Sequence, residues 1–275
     1  MQYFYKSSII FYAYILGVFI LTLFTPFFGF AQENTFTRQD PIHKKFGDKQ
    51  NRFNWDYFGI EGPEHWGLLT KEYATCETGS KQSPIDLPVQ ELNLHRETVE
   101  FHYRTSELHE MNNGHTVQVS HKTGCHVALN KRVYNLRQFH FHEPSEHHFD
   151  GKAFPMEMHL VHQDETGHIL VIAVMMEIGP EHPVLKNLLD WLPDQIGKEV
   201  SVPLKVSFRK ILPSSTEHYS YYGSLTTPPC SEGVQWLVLT TPIYISEGSL
   251  KKFLDLIGPN ARPIQSLGDR QIEKY

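Results

Sequence analysis

The sequence predicts a mainly β, α+β fold: a single domain built on a large, mostly antiparallel, twisted central sheet with short helices at its periphery. Three observations predict it. Short runs of alternating or β-branched and aromatic residues recur between Leu92 and Val174. Gly-containing turn signals separate those runs at hairpin spacing. Helical periodicity with recognisable start and stop residues is confined to two short segments in the second half of the chain.

In chain order, residues 1–31 stand apart. Lys6 is their one charge, an apolar run extends from Ile9 to Phe24, and Gly29-Phe30-Ala31 precedes polar Gln32-Glu33-Asn34. That is the pattern of a secretory signal with a small-residue exit. The run is also long enough for a retained membrane anchor. Pro26 and the small-residue end favour cleavage, which leaves no stable anchor, and no Cys flanks the junction for lipid attachment. Residues 32–51 are polar and predicted to be a mobile N-terminal segment. Residues 52–275 are predicted to form one domain, long enough for a sizeable core.

Within it, Phe53 to Trp66 is rich in aromatics, Gly and Pro and reads as an irregular segment over a core. Strands are predicted at Thr116–Ser120, His126–Leu129, Arg137–His142, Glu157–His162 and His168–Met176. The turns between them fall at Asn113-Gly114, Lys122-Thr123-Gly124, Asp150-Gly151 and Thr166-Gly167. A helix over His182–Leu192 opens on Pro183 and carries Val184, Leu185, Leu188 and Leu192 on one face. A second, Leu250–Ile257, is predicted to be capped by Ser249, to bury Leu250, Phe253, Leu254 and Ile257, and to stop at Gly258. No repeat and no linker divides this region.

The formal net charge of −6, without a long basic run, argues against nucleic acid as a partner. Cys76, Cys125 and Cys230 in an exported chain imply one disulfide and one leftover thiol, with three pairings open.

The chemistry concentrates in Gln138-Phe139-His140-Phe141-His142 and Glu157-Met158-His159. On a strand, His140 and His142 share a face while Phe139 and Phe141 take the other. A returning antiparallel strand would bring His159 beside them. Three neutral imidazoles with a fourth position open are how proteins hold a catalytic zinc ion. Among 17 histidines a His-x-His pair is expected about once by chance, so the pair alone is weak. Gln138 and Glu157 strengthen it, because each lies in phase to hold the second ring nitrogen of a ligand.

Running on through Ser145-Glu146-His147 and to His162, this region resembles the metal-binding region of the alpha-class carbonic anhydrases. The resemblance extends over nearly the whole domain. It includes Gly62-Pro-Glu-His-Trp66, Gln82-Ser-Pro-Ile-Asp86, Asn112-Asn-Gly-His115, Tyr222-Gly-Ser-Leu-Thr-Thr-Pro-Pro229, Val234-Gln-Trp236, Arg262-Pro263 and Arg270-Gln271. It implies the fold of that family, an alpha-carbonic-anhydrase catalytic domain over 52–275, and reversible zinc-dependent hydration of CO2 to bicarbonate and a proton by zinc-hydroxide attack. Secondary ester hydrolysis would use the same nucleophile. The alternative implied is a non-catalytic carbonic-anhydrase-like zinc- or ligand-binding module.

By resemblance, His140, His142 and His159 are the zinc ligands, with one Zn2+ per chain. Thr226 and Glu146 orient the hydroxide, and His115 is the proton shuttle. Tyr57, Asn113 and Gln118 match residues of its water network, Gln118 standing where many members carry Asn. Val161, Val171, Leu225, Val234 and Trp236 match the apolar wall for CO2, and Thr227 a contact for bicarbonate. Cys76 and Cys230 match the single disulfide of secreted members, and Cys125 is left over. His147 matches a structural position, and neither His148 nor His162, which faces away from His159 on a regular strand, is a ligand. A periplasmic or secreted location follows from the signal, and a homodimer is compatible with the resemblance because secreted bacterial members are often dimers.

Overall fold

The computed structural model describes residues 55–89, 97–122 and 124–275. The predicted signal at 1–31, the predicted mobile segment at 32–51 and Thr123 of one predicted turn lie outside the described residues. Among the described residues there are thirteen strands: β1 (Asp86–Leu87), β2 (Val99–His102), β3 (Thr105–Asn112), β4 (Val117–His121), β5 (His126–Leu129), β6 (Arg132–His142), β7 (His148–Phe149), β8 (Met156–Gln163), β9 (Ile169–Ile178), β10 (Glu199–Ser207), β11 (His218–Ser224), β12 (Glu232–Ile245) and β13 (Glu273–Lys274). β1 and β7 form a small parallel pair. The other eleven make one sheet in the order β10-β3-β4-β6-β8-β9-β12-β11-β13, with β5 joined to β6 and β2 to β5. Its pairings are antiparallel except β9 with β12, which run parallel. The mostly antiparallel sheet predicted from sequence is present. The parallel pair requires a long crossover, and that crossover carries the helix Pro183–Asp190.

Both faces of the sheet are buried at its centre. On β9, Leu170, Ile172, Val174 and Met176 enter one core, while Val171, Ala173 and Met175 enter a second. The first core takes the apolar stripes of the two helices, Leu185, Leu188 and Leu189 from one and Phe253 from the other. The predicted cap of the second helix needs correcting. The helix spans Glu247–Leu256, and Ser246 is the cap, its hydroxyl accepting the Ser249 N–H at 3.1 Å. Starting earlier places Glu247 in the first turn, where a carboxylate complements the helix dipole. Gly258, at φ 86°, ends it as predicted.

One irregularity positions the site. Between Leu136 and Gln138 the register of β6 against β8 shifts. Upstream of it Tyr134 and Leu136 face the first core, and downstream Phe139 and Phe141 do. The extra residue switches the inward set from even to odd positions, as a β-bulge does. Gln138, His140 and His142 are thereby turned to the opposite face.

Glu110 on β3 has no counterpart among the predicted features. It is fully buried between Val119 of β4 and Val200 of β10, and neither carboxylate oxygen has a hydrogen-bond partner. Burial pushes its pKa up to about 8 from 4.5. Because the folded state then holds the proton more tightly than the unfolded chain, stability falls as pH rises between these two values and levels off above the upper one. Glu110→Leu should therefore stabilise the protein increasingly from pH 5 to 8, by on the order of 1 kcal/mol per pH unit. Urea unfolding of both proteins across that range checks it; a gap that stays constant with pH refutes it.

Candidate metal centre

The turned face of β6 meets β8 so that His140 lies directly opposite His159 and His142 opposite Glu157. The three imidazole centroids are 5.0, 5.3 and 4.5 Å apart, and one nitrogen from each lies within 4.8 Å of the other two. His142 and His159 are buried and His140 half-buried.

In each ring the other nitrogen is spoken for. His140 Nδ1–H donates to Gln138 Oε1 at 2.8 Å, His142 Nδ1–H to the Asn260 carbonyl at 2.8 Å, and His159 Nε2–H to Glu157 Oε1 at 2.6 Å. A neutral imidazole that donates from one nitrogen carries its lone pair on the other. The lone pairs therefore sit on His140 Nε2, His142 Nε2 and His159 Nδ1, the atoms that converge. Burial, then the neighbouring His142 and His159, hold His140 well below the usual histidine range, and burial lowers His142. Neutral rings are the form that binds metal. Two buried atoms at this point lack hydrogen-bond partners, His142 Nε2 and Glu146 Oε2, and they are 3.5 Å apart. Three nitrogen donors with fixed tautomers fit zinc.

Glu157 organises the surroundings. Its Oε2 accepts the main-chain N–H groups of Glu146 and His147, both at 2.8 Å, and its Oε1 accepts from His147 Nδ1 at 2.7 Å and from His159. Burial alone would raise its pKa; His147 and His159 outweigh that and hold it well below the carboxylate range. His147, fully buried, spends its second nitrogen on the Tyr221 hydroxyl at 2.7 Å, the structural role expected of it. His162 also lies away from the centre, pairing with the Tyr103 hydroxyl at 2.7 Å, and burial lowers its pKa to about 3.

Glu146 Oε1 accepts the Arg262 main-chain N–H at 2.8 Å. Thr226 is buried, but among the described residues it makes no hydrogen bond to Glu146. Val171, Val234 and Trp236 are buried in the second core with Val161 and Leu225 packed against it, so the five residues predicted to line a wall belong to one apolar cluster. Trp236 lies 4.9 Å from the His159 ring. Thr227 is half-buried beside Thr226, and its carbonyl accepts the Cys230 N–H at 2.8 Å. Cys230 is bonded to Cys76, and Cys125 is a buried free thiol.

The His115 ring stacks on Trp55 at 3.7 Å, and its Nε2–H donates to the Trp55 carbonyl at 3.0 Å. Asn113 Oδ1 accepts the main-chain N–H groups of His115 and Thr116, at 3.0 and 2.9 Å. Its carbonyl is thus committed to the turn, and its amide NH2 is what remains for solvent. Tyr57 sits edge-on to His115 at 6.3 Å; burial, Glu146 and Asp56 raise its pKa well above the usual. Gln118 lies opposite His140 on β4.

Asn260 and Arg262 were not singled out as functional from sequence. Asn260 has no motif beyond following Gly258-Pro259. Arg262 is nearly fully buried, donating to Gln82 Oε1 and to the Ser83 and Cys76 carbonyls, each at 2.9 Å.

A family model described as eukaryotic-type carbonic anhydrase matches residues 61–275. A carbonic anhydrase of Nostoc sp. is 39% identical over 224 residues, covering 80% of this chain and 85% of that one. A carbonic anhydrase of Neisseria gonorrhoeae is 40% identical over 225 residues, covering 81% and 88%. Among solved structures, the alpha-carbonic anhydrase of Thermovibrio ammonificans in complex with the inhibitor sulfanilamide is similar, with a TM-score of 0.77 and 39% identity over 80% of this chain and 98% of that one.

Proposed function

The chain belongs to the alpha-class, eukaryotic-type carbonic anhydrase family, and from that premise we propose that it hydrates CO2 reversibly at a zinc ion held by His140, His142 and His159. The observation that carries the reading is the convergence of three imidazole lone pairs, each aimed by an acceptor on the ring's other nitrogen. A zinc ion held by these three rings would supply hydroxide at neutral pH, since it lowers the pKa of a bound water to about 7, carbonic anhydrase itself being the reference case for that magnitude.

The remaining work falls to the chain. Thr226, by donating its hydroxyl proton to Glu146 Oε2, would offer its own oxygen as acceptor and so orient the nucleophile. Glu146 is held for this by Arg262 N–H on its other oxygen. Val161, Val171, Leu225, Val234 and Trp236 offer CO2, which has no charge to grip, an apolar seat, and Thr227 offers polar contact to bicarbonate. His115 carries the proton away, with Tyr57, Asn113 and Gln118 lining its route. The protein is exported in this reading, by residues 1–31. The Cys76–Cys230 bridge supports a periplasmic or secreted location, since such bonds persist in oxidising compartments. Among the described residues no helix is long and apolar enough to cross a membrane.

Stopped-flow CO2 hydration with metal analysis tests the proposal. Zinc near one per chain without hydration would favour the binding module. For the relay, His115→Ala should lower kcat in weak buffer by about tenfold or more and be partly rescued by imidazole. Unchanged turnover removes His115 from the mechanism.

A further inference from the structure

Asn260 is almost completely buried and touches three segments at once. Its main-chain carbonyl accepts from His142 Nδ1. Its side-chain Oδ1 accepts the Glu143 N–H at 2.7 Å, and its Nδ2 donates to the carbonyls of His115 and Phe141, each at 2.9 Å. The orientation is unique: flipping the amide would set Nδ2 against an N–H and Oδ1 against two carbonyls. Next to the amide, Thr116 Oγ1 donates to the same Phe141 carbonyl at 2.6 Å and accepts the Phe141 N–H at 3.3 Å, and β4 pairs with β6 from Gln118 onward. The Asn260 carboxamide adds to these a direct tie between the His115 carbonyl and the strand that carries His140 and His142.

We propose that the Asn260 side chain is a positioning residue for proton exit, holding the His115 turn at a set distance from the metal ligands. The proposal rests on the reading of His115 as the relay. Transfer through an ordered path is steeply sensitive to displacement of either end, so a loosened turn slows proton release more than CO2 attack. The part of Asn260 that holds His142 is its main chain, which side-chain substitution leaves in place.

The test uses the full-length zinc enzyme and two variants. Asn260→Asp keeps the shape and the acceptor for Glu143 but sets an oxygen against two carbonyls; Asn260→Leu removes all three side-chain bonds. Expected in either folded variant is a fall in kcat in weak buffer of about tenfold, with kcat/KM reduced less than about threefold. Added imidazole should restore kcat. Zinc should stay near one per chain, and amide exchange at Gly114–Thr116 should speed up while β8 and β9 keep their protection. Equal falls in kcat and kcat/KM, or an unchanged kcat where His115→Ala lowers it, overturn the proposal. If His115→Ala has no effect, the relay reading fails, and the positioning role for proton exit falls with it. Exchange at the turn then reports separately whether Asn260 holds it.

Discussion

His159→Ala is expected to reduce CO2 hydration by about 10³-fold or more and to leave the protein largely free of zinc. The expectation comes from two roles of one ring. Nδ1 is one of three converging donors, and a catalytic zinc site keeps three protein ligands, so losing one leaves a pair that holds the ion weakly. Nε2–H is one of four donors on the buried Glu157. Without it the carboxylate keeps His147 and two main-chain N–H groups, so the fold should survive the loss. Removing a charge-assisted bond and opening a small cavity should cost about 2–4 kcal/mol. Metal analysis, stopped-flow hydration and thermal unfolding on one preparation separate these effects. A folded variant with zinc near one per chain and wild-type turnover would falsify the ligand assignment. A second variant, Glu157→Gln, should keep the three ligands and lose about 10–100-fold in zinc affinity, because an amide placed there is a poorer acceptor for His159.

The cluster of three histidines proposed as ligands was legible because it needs only alternation. His140 and His142 share a face wherever Phe139 and Phe141 are buried, and His159 joins them through antiparallel pairing. The two helices were legible from their apolar stripes, though the second is capped by Ser246 and not by the predicted Ser249. The bulge before Gln138 was not legible, since the local sequence around Arg137 marks no extra residue; only the partner strand defines it. β10 and β12 were not predicted as strands. Pro203 and Pro242 interrupt their patterns, and each strand meets its partner with a register shift nearby. Asn260 was hidden for a further reason. It reaches His142 through its main-chain carbonyl, which leaves no trace in residue type. Glu110 is the converse: its type is plain in the sequence, but a lone acid on an alternating strand reads as exposed until the third dimension covers it. Thr226 and Glu146, assigned by resemblance, are both buried without a hydrogen bond between them among the described residues, so their joint action stays with the proposal.

Replacing both Cys76 and Cys230 with alanine is expected to destabilise the protein by about 4–5 kcal/mol, from the entropy returned to an unfolded chain no longer closed over 154 residues. The bridge should matter to activity as well, because of what its two ends hold. The Cys76 carbonyl accepts from the Arg262 guanidinium at 2.9 Å, and Arg262 presents its main-chain N–H to Glu146. The Cys230 carbonyl accepts from Gln82 Nε2 at 3.1 Å, Gln82 is itself bonded to Arg262, and Thr226 lies four residues before Cys230. The bridge therefore closes a buried frame with Glu146 on one side and Thr226 on the other, while touching none of the three histidines. In the doubly substituted protein, hydration measured well below its melting temperature should fall about tenfold with zinc still near one per chain. Full activity at reduced stability would show that Arg262 and Gln82 keep the frame without the bridge. Loss of zinc together with activity would instead place the disulfide's effect on the metal centre itself.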